Sequence, residues 1–191
     1  MNLSLTEEQS LIQETAKRFA ETELAPVAAD VDANADHAQV VANCRKLAEL
    51  GFMGLNISGE YGGSEAGVVS FSLAVTEVAK ACASTAVSMS VTNMVAEVIQ
   101  AKGTEQQKET YLPRICSGEY AAGSFCLTEA GAGSDPASMR ARATRTDGGW
   151  LLNGTKQWIT SAEFAGVFVV WAVTDPDAPK GKGITCFLVS A

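Results

Sequence analysis

Two short stretches carry the residue types best suited to chemistry. Residues 125–135 read Phe-Cys-Leu-Thr-Glu-Ala-Gly-Ala-Gly-Ser-Asp. Gly131 and Gly133 would let backbone N–H groups approach a phosphate closely, and Ser134 adds a hydroxyl donor. The pattern is neither the G-x-G-x-x-G of a dinucleotide fold nor a G-x-x-x-x-G-K loop, so an anion cradle and a plain tight turn both stay open. Residues 152–160 read Leu-Asn-Gly-Thr-Lys-Gln-Trp-Ile-Thr. There Trp158 can stack on a flat heteroaromatic ring while the Thr160 hydroxyl bonds the ring's edge; a strand tryptophan buried in the core is the alternative. Glu129 and Glu163, in and near these stretches, read as structural or solvated.

Other chemistries are poorly provided for. The chain has a single histidine, His37, which reads as a solvated surface residue, and no Cys/His cluster, so the usual zinc and redox-metal ligand sets cannot be assembled. Five widely spaced cysteines without a C-x-x-C pair suit a reducing compartment. With 14 basic against 22 acidic residues the net charge is -8, which gives no footprint for nucleic acid. Residues 1–8 show neither a basic-then-apolar leader nor an Arg-rich transit pattern, and no stretch is long and apolar enough to span a membrane.

The elements that must position the two stretches fall into two textures. Thr6 and Gln9 have capping-box spacing ahead of the periodic Leu11, Ile12, Thr15, Phe19 and Ala20, which predicts an opening amphipathic helix. A second helix is expected over 37–50 with Gly51 as its stop. Two long helices follow, with core stripes Val68, Phe71, Val75, Val78, Cys82 and Val87, Val91, Met94, Val95, Val98. Thr104 and Gln107 repeat the capping spacing before a helix whose last turn holds Pro113. Past Gly118, segments 124–128, 140–146, 150–152, 157–160, 167–174 and 184–189 read as strands, with hairpin-like turns at 147–149 and 153–154. Helices first and strands second predict an α+β multidomain chain, all-α over 1–119 and β over 120–191. The last strand would leave a bare sheet edge, so the chain is read as stopping inside a domain.

Taken together, 126–135 and 153–160 resemble the acyl-CoA dehydrogenase signature C-L-T-E-P-G-A-G-S-D followed by N-G-x-K-x-W-I-T, with Ala130 where the family usually has proline. The likeness extends over the chain, through Glu60-Tyr61-Gly62-Gly63, Tyr111-Leu112-Pro113 and Lys182-Gly183-Ile184. It implies an N-terminal helical domain, an incomplete antiparallel β-barrel domain and a C-terminal four-helix domain outside this chain. It also implies that Phe125, Cys126, Leu127, Thr128, Glu129, Ala130, Gly131, Ala132, Gly133, Ser134, Trp158, Ile159 and Thr160 bind FAD. Thr128 and Thr160 would face the ring, Leu127 and Thr128 backbone its pyrimidine side, and Ser134 the pyrophosphate as well as the acyl-CoA.

In the family a glutamate removes the α-proton of an acyl thioester while the β-hydrogen leaves as hydride to the flavin, giving a trans-2-enoyl-CoA. That base belongs to the C-terminal helices, so no catalytic residue is assigned here. Residues 83–93 resemble short-chain and branched short-chain members, in which this helix lines the acyl pocket, and the resemblance carries Met89 and Asn93 as substrate contacts. Electron-transfer flavoprotein as acceptor, a homo-oligomer in the full-length protein, and a cytoplasmic or mitochondrial-matrix location complete the expectation. An acyl-CoA oxidase or flavin monooxygenase on the same scaffold, or a non-catalytic flavin-binding module, are the rivals.

Overall fold

A computed structural model describes residues 4–34 and 37–191; residues 1–3, part of the stretch read as lacking a leader, lie outside the described residues. The opening helix α1, Glu7–Phe19, starts at the expected capping box: Thr6 Oγ1 accepts from Gln9 N at 3.1 Å and Gln9 Oε1 accepts from Thr6 N at 3.0 Å. These bonds satisfy donors that a helix start otherwise leaves bare. A π turn, Ala20–Leu24, extends it, and α2, Ala28–Asn34, is a short helix that the spacing did not announce. Helix α3 runs His37–Glu49, α4 Gly67–Ala81, α5 Ala83–Lys102 and α6 Glu105–Cys116. Helix α6 repeats the capping box at Thr104 and Gln107 and continues through Pro113 to Cys116.

The buried faces of the two long helices differ from the expected stripes. On α4, Val78 is fully buried, but Val68 is 71% exposed and the inward positions are taken by Ser70, Ala74 and Glu77. On α5, Val95 is buried as expected but Val87 and Met94 face outward, while Thr85, Ser88, Met89, Thr92, Asn93, Ala96 and Ile99 face in. The reason is that α5 is held by hydrogen bonds to backbone and to a neighbouring helix. Asn93 bonds Phe52 O, Met89 O and Leu55 N; Thr92 Oγ1 accepts from Gly123 N; Thr85 Oγ1 accepts from Asn43. Each inward polar side chain of α5 has a partner, which removes the burial penalty that would otherwise turn that face outward, whereas Ser70 Oγ on α4 is buried without one among the described residues.

The β region forms one five-stranded sheet from β1 Gly123–Cys126, β2 Arg142–Thr146, β3 Gly149–Asn153, β4 Val167–Val173 and β5 Ile184–Ser190. It is mixed, which corrects the purely antiparallel expectation. β4 is parallel to β1 and touches β2 in parallel at Arg142–Val173, while β4–β5 and β2–β3 are antiparallel. A core of α5, α6, β1, β4 and β5 side chains joins helices to sheet, with Val95, Ile99, Leu112, Ile115, Val167 and Val169 essentially closed to water. A second core, around Leu24, Leu47, Met53 and Val78, packs the N-terminal helices on one another.

Residues 157–160 are not a strand. Trp158 and Ser161 both lie in the left-handed region, at φ +59 and +61, and the chain turns over 160–164. Nor does Asn153-Gly154 close a hairpin: Gly154, at φ +147 and packed so that a Cβ would meet Ala141 at 2.6 Å, turns the chain back beside the end of β1. β2 starts at Arg142 rather than 140 because the N–H groups of Arg140 and Ala141 are given to the Glu129 carboxylate.

Candidate functional site

The chain emerging from β1 and the stretch 156–160 run side by side. Ser124 Oγ donates to Thr160 O at 2.7 Å, Gln157 N donates to Thr128 O at 2.9 Å, and Lys156 Nζ donates to Leu127 O at 3.1 Å. Residues far apart in sequence thus form two adjoining rails, together called the groove. Next along the first rail, Glu129 and Ala132 exchange backbone bonds of 3.3 and 3.0 Å, closing a tight turn that leaves Gly131, Gly133 and Ser134 exposed. A Cβ built on either glycine meets nothing within 4 Å. The structure thus forms the tight turn, and its glycine backbone is open to approach.

The donors around the groove are uncommitted. Among the described residues, the hydroxyls of Thr128, Ser134 and Thr160 have no protein partner, and none of the three residues is buried. Trp158 is 84% exposed, unusual for so large an apolar ring, and its backbone stays in a conformation that costs a non-glycine residue about 1–2 kcal/mol. An open aromatic face, hydroxyl donors and a glycine turn are what a flat polar ring with a diphosphate tail requires, so the residues fit a flavin nucleotide.

Beneath the groove lies a buried ion pair. Lys156 Nζ is 2.9 Å from Glu129 Oε1, with the two side chains only 11% and 9% exposed. The carboxylate also accepts from Arg140 N at 2.6 Å and Ala141 N at 2.9 Å. Burial works against ionising Glu129, but these backbone donors and Lys156 outweigh it and hold its pKa below the usual carboxylate value. Glu129 is thus structural, one of its two expected readings. Glu163 is exposed and binds His37 Nδ1 at 2.6 Å, a surface contact in which the His37 ring also lies tilted against Phe164. Burial pushes up the thiols of Cys126 and Cys116, the latter to about 11, so neither is a nucleophile.

The expected site residues separate into two groups. Phe125 and Cys126 lie on β1, Leu127 to Ser134 follow on the first rail and turn, and Trp158, Ile159 and Thr160 lie on the second, so the structure brings all of these together. Met89 and Asn93 stand apart: both are fully buried, and the Asn93 amide is consumed by loop and helix backbone. A cleft of about 540 Å³ does open between α5 and the 160–164 turn, but its lining from α5 is Ala83, Ser84, Val87 and Ser88, facing Thr160 and Ser161. The sequence reading missed Ser124, Lys156 and Gln157 as joiners of the rails. Lys156 carried a signal, since a lysine between a turn and an aromatic–hydroxyl triplet has a short reach to the other motif.

The match to known proteins is extensive. Family models for the acyl-CoA dehydrogenase N-terminal domain and middle domain match residues 6–119 and 124–191. The chain belongs to the acyl-CoA dehydrogenase family. It is 40% identical over 188 residues to the short/branched chain specific acyl-CoA dehydrogenase of Rattus norvegicus, covering 97% of this chain and 42% of that protein. Butyryl-CoA dehydrogenase from Megasphaera elsdenii superposes with a TM-score of 0.87 at 35% identity, covering all of this chain and 50% of that one. An acyl-CoA dehydrogenase from Bacillus anthracis complexed with FAD gives 0.86 at 30% identity, covering 98% of this chain and 31% of that one. The chain spans about half the length of the curated acyl-CoA dehydrogenases it matches.

Proposed function

We propose that this chain forms the FAD-holding part of an acyl-CoA dehydrogenase that converts a short-chain acyl-CoA to the trans-2-enoyl-CoA. The observation that carries the reading is the pairing of the two rails, which sets an exposed Trp158, the free hydroxyls of Thr128 and Thr160, and the open Gly131–Ser134 turn around one groove. FAD held there supplies the acceptor for the two electrons that leave the substrate. Trp158 offers its face to the ring, Thr128 and Thr160 offer donors where negative charge develops, and the 131–134 backbone with Ser134 takes the diphosphate. Val87 and Ser88, rather than Met89 and Asn93, are the α5 side chains placed to meet an acyl chain, because they border the cleft that holds Thr160.

The proton-removing base is assigned outside these residues. Glu129 is locked in the ion pair and Glu163 is a surface partner of His37, so neither is poised to take a proton. The 191-residue chain alone is expected to show no turnover, with electron-transfer flavoprotein as the electron acceptor and a homo-oligomer as the state of the full-length protein. Similarity to a short/branched chain specific acyl-CoA dehydrogenase and to a butyryl-CoA dehydrogenase supports a short acyl substrate. The test is anaerobic addition of butyryl-CoA to the complete protein loaded with FAD. Loss of the flavin's visible band is expected, and a band unchanged by every acyl-CoA tried would overturn the proposal. Rapid reaction of the reduced protein with oxygen would favour an oxidase or monooxygenase.

A further inference from the structure

We propose that Lys156 and Glu129 are positioning residues for the flavin, a buried pair that fixes the separation and facing of the two rails. The inference rests on the flavin reading above and adds to it the device that makes the groove a defined shape. Lys156 Nζ reaches Leu127 O at 3.1 Å and Glu129 Oε1 at 2.9 Å, so it grips the residues on either side of Thr128. Its own backbone is two residues from Trp158. One ammonium therefore couples a rail carrying a free hydroxyl to the rail carrying the exposed ring. Glu129 extends the knot to a third stretch through Arg140 N and Ala141 N.

A pair buried this deeply is a poor choice for stability alone, since desolvating both charges cancels much of their attraction and an apolar pair of similar size often serves the fold as well. What the charges add is direction. The three protons of an ammonium and the lone pairs of a carboxylate demand particular partners, whereas an apolar contact tolerates sliding. The ammonium also meets Met139 Sδ at 3.9 Å, a soft contact that closes its remaining side.

The experiment uses the complete protein, stripped of flavin and titrated with FAD, comparing Lys156→Met, Glu129→Gln and a control, Glu77→Gln. Glu77 is also a buried carboxylate with a lysine partner, Lys80 at 2.8 Å, but it joins α1 to α4 and touches neither rail. For Lys156→Met, FAD affinity is expected to fall at least about tenfold and the visible circular dichroism of bound flavin to change. The control should lose melting temperature while keeping both flavin properties. Affinity within about twofold of the parent and an unaltered flavin spectrum in both pair variants would overturn the proposal. Should Lys156→Met not fold, Glu129→Gln decides on the same readouts, and a loss of fold in both overturns it, because the pair would then serve the fold. A parent that binds no FAD would instead remove the flavin reading, which separates the two failures.

Discussion

At the scale of single residues, the groove depends on side chains left unsatisfied by the fold. Trp158 is the clearest, a large ring in water on a left-handed backbone. Trp158→Gly should relieve that backbone and raise the stability of the flavin-free protein by about 1 kcal/mol, while weakening FAD binding at least about tenfold. Urea unfolding and FAD titration of the same samples check both signs. The residue types were legible in the sequence: Trp158 and Thr160 suited a ring and its edge, with a core tryptophan as the alternative, and the resemblance to the acyl-CoA dehydrogenase signature favoured the ring and added Thr128. The conformation was not, since tryptophan and isoleucine favour extended structure and only the tertiary bonds to Thr128 O and from Ser124 Oγ turn this stretch aside.

At the scale of elements, the long helices show where periodicity misleads. The stripe Val87, Val91, Met94, Val95 and Val98 has helical spacing and Val95 is buried as expected, yet the rest of the buried face of α5 carries Asn93, Thr92 and Thr85, each bonded to loop, strand or neighbouring helix. Hydropathy cannot register a polar group whose partner lies some 40 residues away, as with Asn93 and Leu55 or Thr85 and Asn43. Asn93→Ala should cost about 2–4 kcal/mol by leaving buried Leu55 N and Phe52 O unpaired, whereas Met94→Ala should stay within about 0.5 kcal/mol. Denaturant midpoints read the difference. The α1–α4 contact adds a pH effect. Hydrogen bonds from Lys80 and Gln13 hold the Glu77 pKa below its ordinary value. Its stabilisation is therefore complete above the unfolded carboxylate value of about 4.3 and disappears as pH falls through the lower folded value. Glu77→Gln should flatten the acid limb of the melting-temperature profile in that window and leave the shape of the profile above pH ~6 unchanged.

At the scale of the whole molecule, the helix-then-strand order was readable from texture, and most element bounds followed from caps and turns. The mixed strand order was not, because β1–β4 pairing joins residues about 44 apart and leaves no local trace. Stability is uneven across the sheet: β4 is central, while every residue of β3 except Leu152 is exposed. Amide exchange should accordingly be fast in 149–153 and slow, near the global limit, in 167–170. The groove sits on the protected side, between the end of β1 and the turn before β4, and so is presented by rigid backbone. The most direct measurement of the whole account is titration of the flavin-free complete protein with FAD, followed by flavin and tryptophan fluorescence. Saturable binding that quenches Trp158 emission, and loses that part of the quench in Trp158→Phe, is the predicted result; a protein that stays colourless after excess FAD is removed would contradict it.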